Sequence, residues 1–389
     1  MKSRFCIFHR LYIKIERVAS RPLPTPPKKG VFHLEGATFL FAPFYISAGN
    51  EGLCYADLSD MDGCMLMNTS KKPLMLYRIC FLFFLFLIGL FYWRCASHHD
   101  RGGGGRKTVS SACESSHEPL KENNEFSRPQ KVTINGFDGH AMEPFITRDG
   151  SYLFFNSLND GKDTSLYYAR RVNDITFDLV GKIERANGNP PHLDAVPSMD
   201  LEGRFYFISQ RRYHYDHASL FSGNFLNGAV LDLDVQPGNI YRQTPGWMVM
   251  DAEISPDGNT LYFADAHFKG GNIPDRSDIG MARMVNGDLN VSAATAEIVK
   301  NVNTEDRLEY APSISSDGLE LFFTRFNQCT CLPEILVAKR TSLAKPFGKP
   351  ERIAALSGFV EAPSISHDRK NLYYHYRDDG VYTIYKVSR

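Results

Sequence analysis

The chain has 389 residues, with 44 basic against 44 acidic side chains and a high aromatic content of 28 Phe and 19 Tyr. A chain of this length buries a substantial core and leaves room for appendages. The charge balance excludes a general nucleic-acid binder, which carries a basic excess or patch.

Residues 1–66 show no clear periodicity and contain the loop-like run Arg21-Pro-Leu-Pro-Thr-Pro-Pro. Residues 74–93, LMLYRICFLFFLFLIGLFYW, form the only membrane-grade segment. Arg78 interrupts it and leaves the stretch Ile79 to Trp93, a length that suits a signal-peptide core as well as a short anchor. Because an export signal normally begins close to the start of a chain, Met67 or Met75 is the expected start, with the earlier stretch a non-native or disordered extension. Residues 67–96 are expected to act as an uncleaved signal-anchor in preference to a cleaved signal. In either case the remainder is exported, to the periplasm or outside the cell, and is secreted if the signal is cut. Residues 97–125 are polar and rich in Gly and Ser, and read as a flexible tether.

From Phe126 to Arg389 one pattern recurs five times: an acid, a proline or alanine, a short apolar–polar alternation, an acidic-Gly turn and an aromatic triplet. The copies are EPFITRDGSYLFF from Glu143, DAVPSMDLEGRFYF from Asp194, DAEISPDGNTLYF from Asp251, EYAPSISSDGLELFF from Glu309 and EAPSISHDRKNLYY from Glu361. The proline slot falls at Pro144, Pro197, Ala252, Pro312 and Pro363, so successive spacings are 53, 55, 60 and 51 residues. The alternation makes a short inner strand, and the Asp-Gly pair turns the chain, with Gly taking the positive φ of a hairpin. The aromatic triplet makes a second strand whose rings fill the space between neighbouring sheets. The fifth copy has Asp368-Arg369 in place of Asp-Gly, so a looser or longer turn is expected there. Third strands follow, and fourth strands are marked at Phe177 to Ile183 and Phe347 to Ile353. Four strands per unit of about fifty residues is a propeller blade.

The predicted fold is therefore all-β, a five-bladed propeller of four-stranded antiparallel blades, expected to be monomeric. A sixth blade would need a repeat that the sequence does not contain. The chain ends after the third strand of the fifth unit. Phe126-Ser-Arg-Pro-Gln-Lys-Val132 echoes Phe347-Gly-Lys-Pro-Glu-Arg-Ile353, so the segment from Phe126 to Ile134 is expected to supply the missing strand and close the ring without an open edge.

These E-P/A-x-[IM]-S-x-D-G-x-x-[LF]-[FY]-[FY] units resemble the WD40-like repeats of the Tol-type periplasmic propeller family, across residues 126 to 389. The resemblance implies an exported bacterial binding module facing the cell envelope. The chain lacks the separate α/β domain that precedes the propeller in the namesake, so the namesake's partner role does not transfer.

Candidate functional residues are of two kinds. The recurring acids Glu143, Asp194, Asp251, Glu309 and Glu361 stand where inner strands begin, and could ring one mouth of the channel. Such a ring would bind a cation or basic group, hold a structural Ca²⁺, or supply paired carboxylates for glycoside hydrolysis or lysis, with Glu309, Glu361 and Asp251 the catalytic candidates. Recurrence in every copy favours a blade-building role, since catalysis needs differentiated residues. Just after the triplets the copies diverge, at Asn156, Arg211, Asp265, Arg325 and His375, and divergence is where a repeat protein encodes a ligand. Arg211, Arg325 and Arg377 suit an anionic sugar or carboxylate. The loop from Arg211 to His217 carries His214, Asp216 and His217, which are possible metal ligands but more simply an exposed loop. Cys329 and Cys331 form a C-x-C pair without a second pair to complete a metal site, in a chain with no disulfide framework. No nucleophile-elbow, phosphate-loop or zinc-protease motif is present. The expected function is a non-catalytic, membrane-tethered module for a protein or polysaccharide partner, with glycoside hydrolysis or lysis as the rival and no cofactor.

Overall fold

The computed structural model describes residues 119–389, apart from 161, 272 and 328–330, together with short strands between Arg4 and Tyr55. The front strands form hairpins, Arg4–Phe8 with Leu11–Arg17 and Gly30–Leu34 with Ala37–Phe41. The apolar segment 74–93, the expected starts Met67 and Met75 and the tether up to residue 118 lie outside the described residues. Among the described residues no helix is long and apolar enough to cross a membrane.

Five antiparallel sheets make a five-bladed propeller. Blade 1 runs Met142–Ile146, Tyr152–Asn156, Leu166–Asn173 and Thr176–Lys182. Blade 2 runs His192–Met199, Arg204–Ser209, Leu220–Leu226 and Ala229–Val235. Trp247–Ile254, Thr260–His267, Arg276–Val285 and Asp288–Asn290 form blade 3. Blade 4 has Leu308–Ile314, Glu320–Asn327, Leu332–Lys339 and Glu351–Ile353. Blade 5 has Val360–Ile365, Asn371–Asp378 and Val381–Ser388. Between blades 3 and 4 the helix Ala293–Val299, started by a Ser292/Thr295 capping box, buries Ile298 and Val299 in the core.

The closing strand is present as Ser127–Lys131, antiparallel to Val381–Ser388. The leading segment does more than the single strand anticipated from Phe126 to Ile134. Lys121–Asn123 adds parallel to Glu351–Ile353 on the outer edge of blade 4, and Thr133–Asn135 adds parallel to Thr176–Lys182 on blade 1. One strap therefore crosses three blades. Ion pairs of Lys121 with Glu351 (2.5 Å), Arg352 with Glu122 (2.6 Å) and Arg389 with Glu125 (2.9 Å) fix it. Its outer strand, Ser127–Lys131, is exposed throughout and carries Arg128, Pro129 and Lys131, a composition that discourages a further strand from adding.

Aromatic rings fill the seams between blades. Phe154 meets Phe205 at 5.4 Å between blades 1 and 2, Tyr262 meets Phe347 at 6.2 Å between 3 and 4, and Phe177 meets Tyr373 at 6.2 Å between 1 and 5. Each fully buried ring of this kind contributes about 1.5–3 kcal/mol.

Four of the five turns after the inner strands share one device. Thr147, Ser255, Ser315 and Ser366 each donate a hydroxyl to the Asp two residues on and accept a backbone N–H five residues on. The fifth turn is neither looser nor longer. Arg369 takes φ +64° where Gly258 and Gly318 take +70° and +69°, and Ser366 N–H reaches Asn371 just as Ser315 N–H reaches Glu320. The strain of a non-glycine residue there is offset by the shared turn bonds and by an ion pair of Arg369 with Asp317.

Candidate functional site

Four of the five inner strands carry a bulge near the start whose residue has positive φ: Glu143, Val196, Ala311 and Ala362. A bulge frees one backbone N–H from the ladder. A side chain of the neighbouring blade accepts each: His375 Nδ1 from Glu143 (3.0 Å), Asn156 from Val196 (3.1 Å), Asp251 from Ala311 (3.1 Å) and Thr324 from Ala362 (2.9 Å). Deeper in the channel Ser198, Glu253, Ser313 and Ser364 accept N–H groups of Ile254, Ile314, Ile365 and Ile146 in the next blade. Asn156 and His375, whose divergence suggested ligand contacts, thus have a first duty in joining blades.

The five acids are not one ring. Counted back from the apolar residue that closes each inner strand (Ile146, Met199, Ile254, Ile314, Ile365), Glu143 and Asp251 stand three residues before it, Glu361 four, and Asp194 and Glu309 five. Asp194 and Glu309 are completely buried and paired with arginine, Arg211 at 2.5 Å and Arg325 at 2.6 Å. The same two arginines donate to Ala186 and Val302 carbonyls, while the carboxylates take N–H groups of Gly188 and Thr304. Burial pushes the Glu309 carboxyl up against the pull of Arg325. These two staples each tie an inner strand to its second strand and to the loop before it. Asp194, Glu309, Arg211 and Arg325, all candidates in the sequence, are thus engaged in these two staples.

Other candidates also stand apart. Asp265 pairs with Arg242 at 2.6 Å, and Arg242 stacks on Trp247 at 3.9 Å. Arg377 lies over the rings of Phe359 and Tyr382. His214 and Asp216 lie in the helical turn Tyr213–Asp216, with His217 capping it, and Asp216 pairs with Arg212. Cys331 is disulfide-bonded, while Cys329 lies outside the described residues.

Glu143, Asp251 and Glu361 do converge, at the mouth end where the inner strands begin. Glu361 accepts from the Tyr310 hydroxyl and faces His375 Nε2 at 3.0 Å. Because His375 Nδ1 already accepts the Glu143 N–H, the ring proton belongs on Nε2, and the neutral imidazole donates it to Glu361. Asn159 donates to Glu143 Oε1 at 2.6 Å, while Glu143 Oε2 is sealed from solvent without a hydrogen-bond partner. Burial pushes the Glu143 carboxyl up to about 8, with the Asp251 and Glu361 charges adding to it. Burial likewise pushes Asp251 up to about 7, with Glu361 contributing.

The opposite end of the channel is tied shut. Arg148, in the turn of blade 1, reaches across to blade 3, pairing with Glu253 at 3.1 Å and donating to the Ile254 carbonyl at 2.7 Å. Both side chains are almost fully buried. Neither residue stands out in the sequence. The signal that could have found them is a charge at a slot filled by Ser in three other copies, namely Glu253.

No protein-family model and no curated protein matches the chain. Among solved structures it is similar to TolB from Acinetobacter baumannii, with 14% identity and a TM-score of 0.38, covering 64% of this chain and 55% of that one. It is also similar to the endo-arabinase from Bacteroides thetaiotaomicron VPI-5482, with 14% identity, a TM-score of 0.41 and coverage of 67% and 96%. An arabinanase from Bacillus subtilis gives 12% identity, a TM-score of 0.42 and coverage of 67% and 94%. The chain thus spans little more than half of the TolB chain it matches, and likenesses this loose name neither an activity nor a ligand for it.

Proposed function

We propose that this propeller is a non-catalytic binding module that takes a protein or glycan partner at the mouth of its channel. The observation that carries the reading is the split among the five acids: two are locked into staples, and three converge at one channel end whose opposite end is tied shut. A partner of the mouth therefore approaches from one side. Residues 74–93 are proposed as a membrane tether for an exported chain, with the propeller in the periplasm or outside the cell.

Glycoside hydrolysis is the second reading. It is favoured by two carboxyls that hold protons near neutral pH beside a third fixed by two donors, since acid and base roles require such asymmetry. The test screens the full-length protein against polysaccharides for retention and turnover, with Glu361→Gln and Asp251→Asn as mouth variants and Glu309→Gln as a staple control. No turnover of any polysaccharide is expected, and any partner retained should be lost in the mouth variants alone. Turnover lost in the mouth variants would establish the hydrolase instead, and retention indifferent to them would place the site elsewhere.

A further inference from the structure

Resting on the mouth as the binding end, we infer that its ligand is a protein presenting a lysine or arginine side chain to Glu143 and Asp251. The inference follows from which lone pairs have no hydrogen-bond partner. Both Glu361 oxygens are engaged, one by Tyr310 and one by His375. Glu143 Oε1 is taken by Asn159, and Asp251 Oδ2 by the Ala311 N–H. Glu143 Oε2 remains, buried and without a partner, and among the described residues Asp251 accepts through Oδ2 alone. With Glu143 and Asp251 ionised the mouth is rich in acceptors, and its nearest other donors, Tyr310 and His375, are already committed to Glu361.

A sugar hydroxyl asks for donors as well as acceptors, whereas an ammonium offers three donors and a guanidinium five, with no acceptor to satisfy. A divalent cation such as Ca²⁺ needs six to eight oxygens, and among the described residues no group of three or more acids, histidines or cysteines is placed to hold a metal ion. A cationic side chain fits the unpaired atoms and offsets the repulsion among Glu143, Asp251 and Glu361 once they are ionised. The groups facing this point are Asp251 from blade 3, Tyr310 from blade 4, and Glu361 and His375 from blade 5. Protons held by Glu143 and Asp251 must leave when the cation arrives, so affinity rises with pH. The rim at the same end has the composition of a protein interface: Tyr215 is 82% exposed in the blade 2 loop, and Trp247 carries the stacked Arg242.

The experiment titrates full-length protein with end-blocked trilysine, with the same peptide acetylated on its side chains, and with a neutral arabino-oligosaccharide, at pH 6 and 8.5. Expected are binding of trilysine but not of the acetylated peptide, and an affinity about ten-fold or more higher at pH 8.5. Glu143→Gln and Asp251→Asn, which remove carboxyls that burial already disfavours and so leave the fold intact, should each weaken binding about ten-fold or more. Equal binding of the two peptides, or trilysine binding unchanged in both variants, would overturn the inference. Oligosaccharide binding lost in those variants, without trilysine binding, would keep the mouth as the site and reject the cationic ligand. No binding in any arm would count against both.

Discussion

Replacing Arg148 by Met removes the cation that crosses the channel to blade 3. The side chain is 3% exposed and its partner Glu253 is 6% exposed, so neither charge falls back on water when the other is lost. Glu253 would keep the Ile314 N–H as a donor but lose the Arg148 bond, and the Ile254 carbonyl would lose its 2.7 Å contact. Breaking a buried pair from one side costs about 3–5 kcal/mol, which for a domain of this size lowers Tm by on the order of 10 °C. The penalty is pH-dependent in a defined direction. Burial already pushes the Glu253 carboxyl up while Arg148 pulls it down, so without Arg148 the group holds its proton more tightly. The variant should therefore lose least near pH 5 and most near pH 8. Circular dichroism melts of wild type, Arg148→Met, Glu253→Leu and the double variant measure this, and the double variant should recover at least half of the summed single losses. Single variants melting within about 2 °C of wild type, or losses that simply add, would refute a cross-channel tie.

The acid–arginine staples behave likewise: Arg325→Met should destabilise by about 3 kcal/mol, read by urea unfolding, while leaving ligand retention at the mouth unchanged. Glu143 and Asp251 titrate above their unfolded values, so the folded chain holds protons that the unfolded chain has released. Stability should then fall as pH rises from about 5 through about 8, and Glu143→Gln should flatten that fall in denaturant midpoints measured across the range. For His375, nitrogen NMR should find the proton on Nε2 and a bare Nδ1, and a proton on Nδ1 would break the derived link to Glu143. Deleting Lys121–Asn123 should cost far less than deleting through Lys131, because only the longer deletion removes the outer strand of blade 5.

Blade number and closure were legible in the sequence because both follow from local periodicity. The alternation, the turn and the aromatic triplet repeat at a near-constant spacing, and the Phe126 segment echoes a strand found elsewhere. The three-way course of the strap was not legible, since parallel edge pieces such as Lys121–Asn123 are too short to carry a pattern. The acids were legible in the sequence, but their division into two sets was not. Aligning them on their shared charge hid the offsets of Asp194 and Glu309, and two residues of offset decide whether a carboxylate meets an arginine of its own blade or lies at the channel mouth. Divergence after the triplets also has a structural source. Asn156 and His375 differ in kind yet do one job, accepting a bulge N–H, which several side chains can perform. Arg148 and Glu253 escaped notice because their partnership joins blades 1 and 3, which no local pattern relates.

Hydrogen exchange across the whole chain, with and without trilysine, shows most directly whether ligand is held at the mouth. Slower exchange is expected at the amides of Glu143, Ala311 and Ala362 and along the loop carrying Tyr215, with the turns at Asp257, Asp317 and Asp368 unchanged. Protection concentrated at those turns, or at the Arg148 end of the channel, would contradict it.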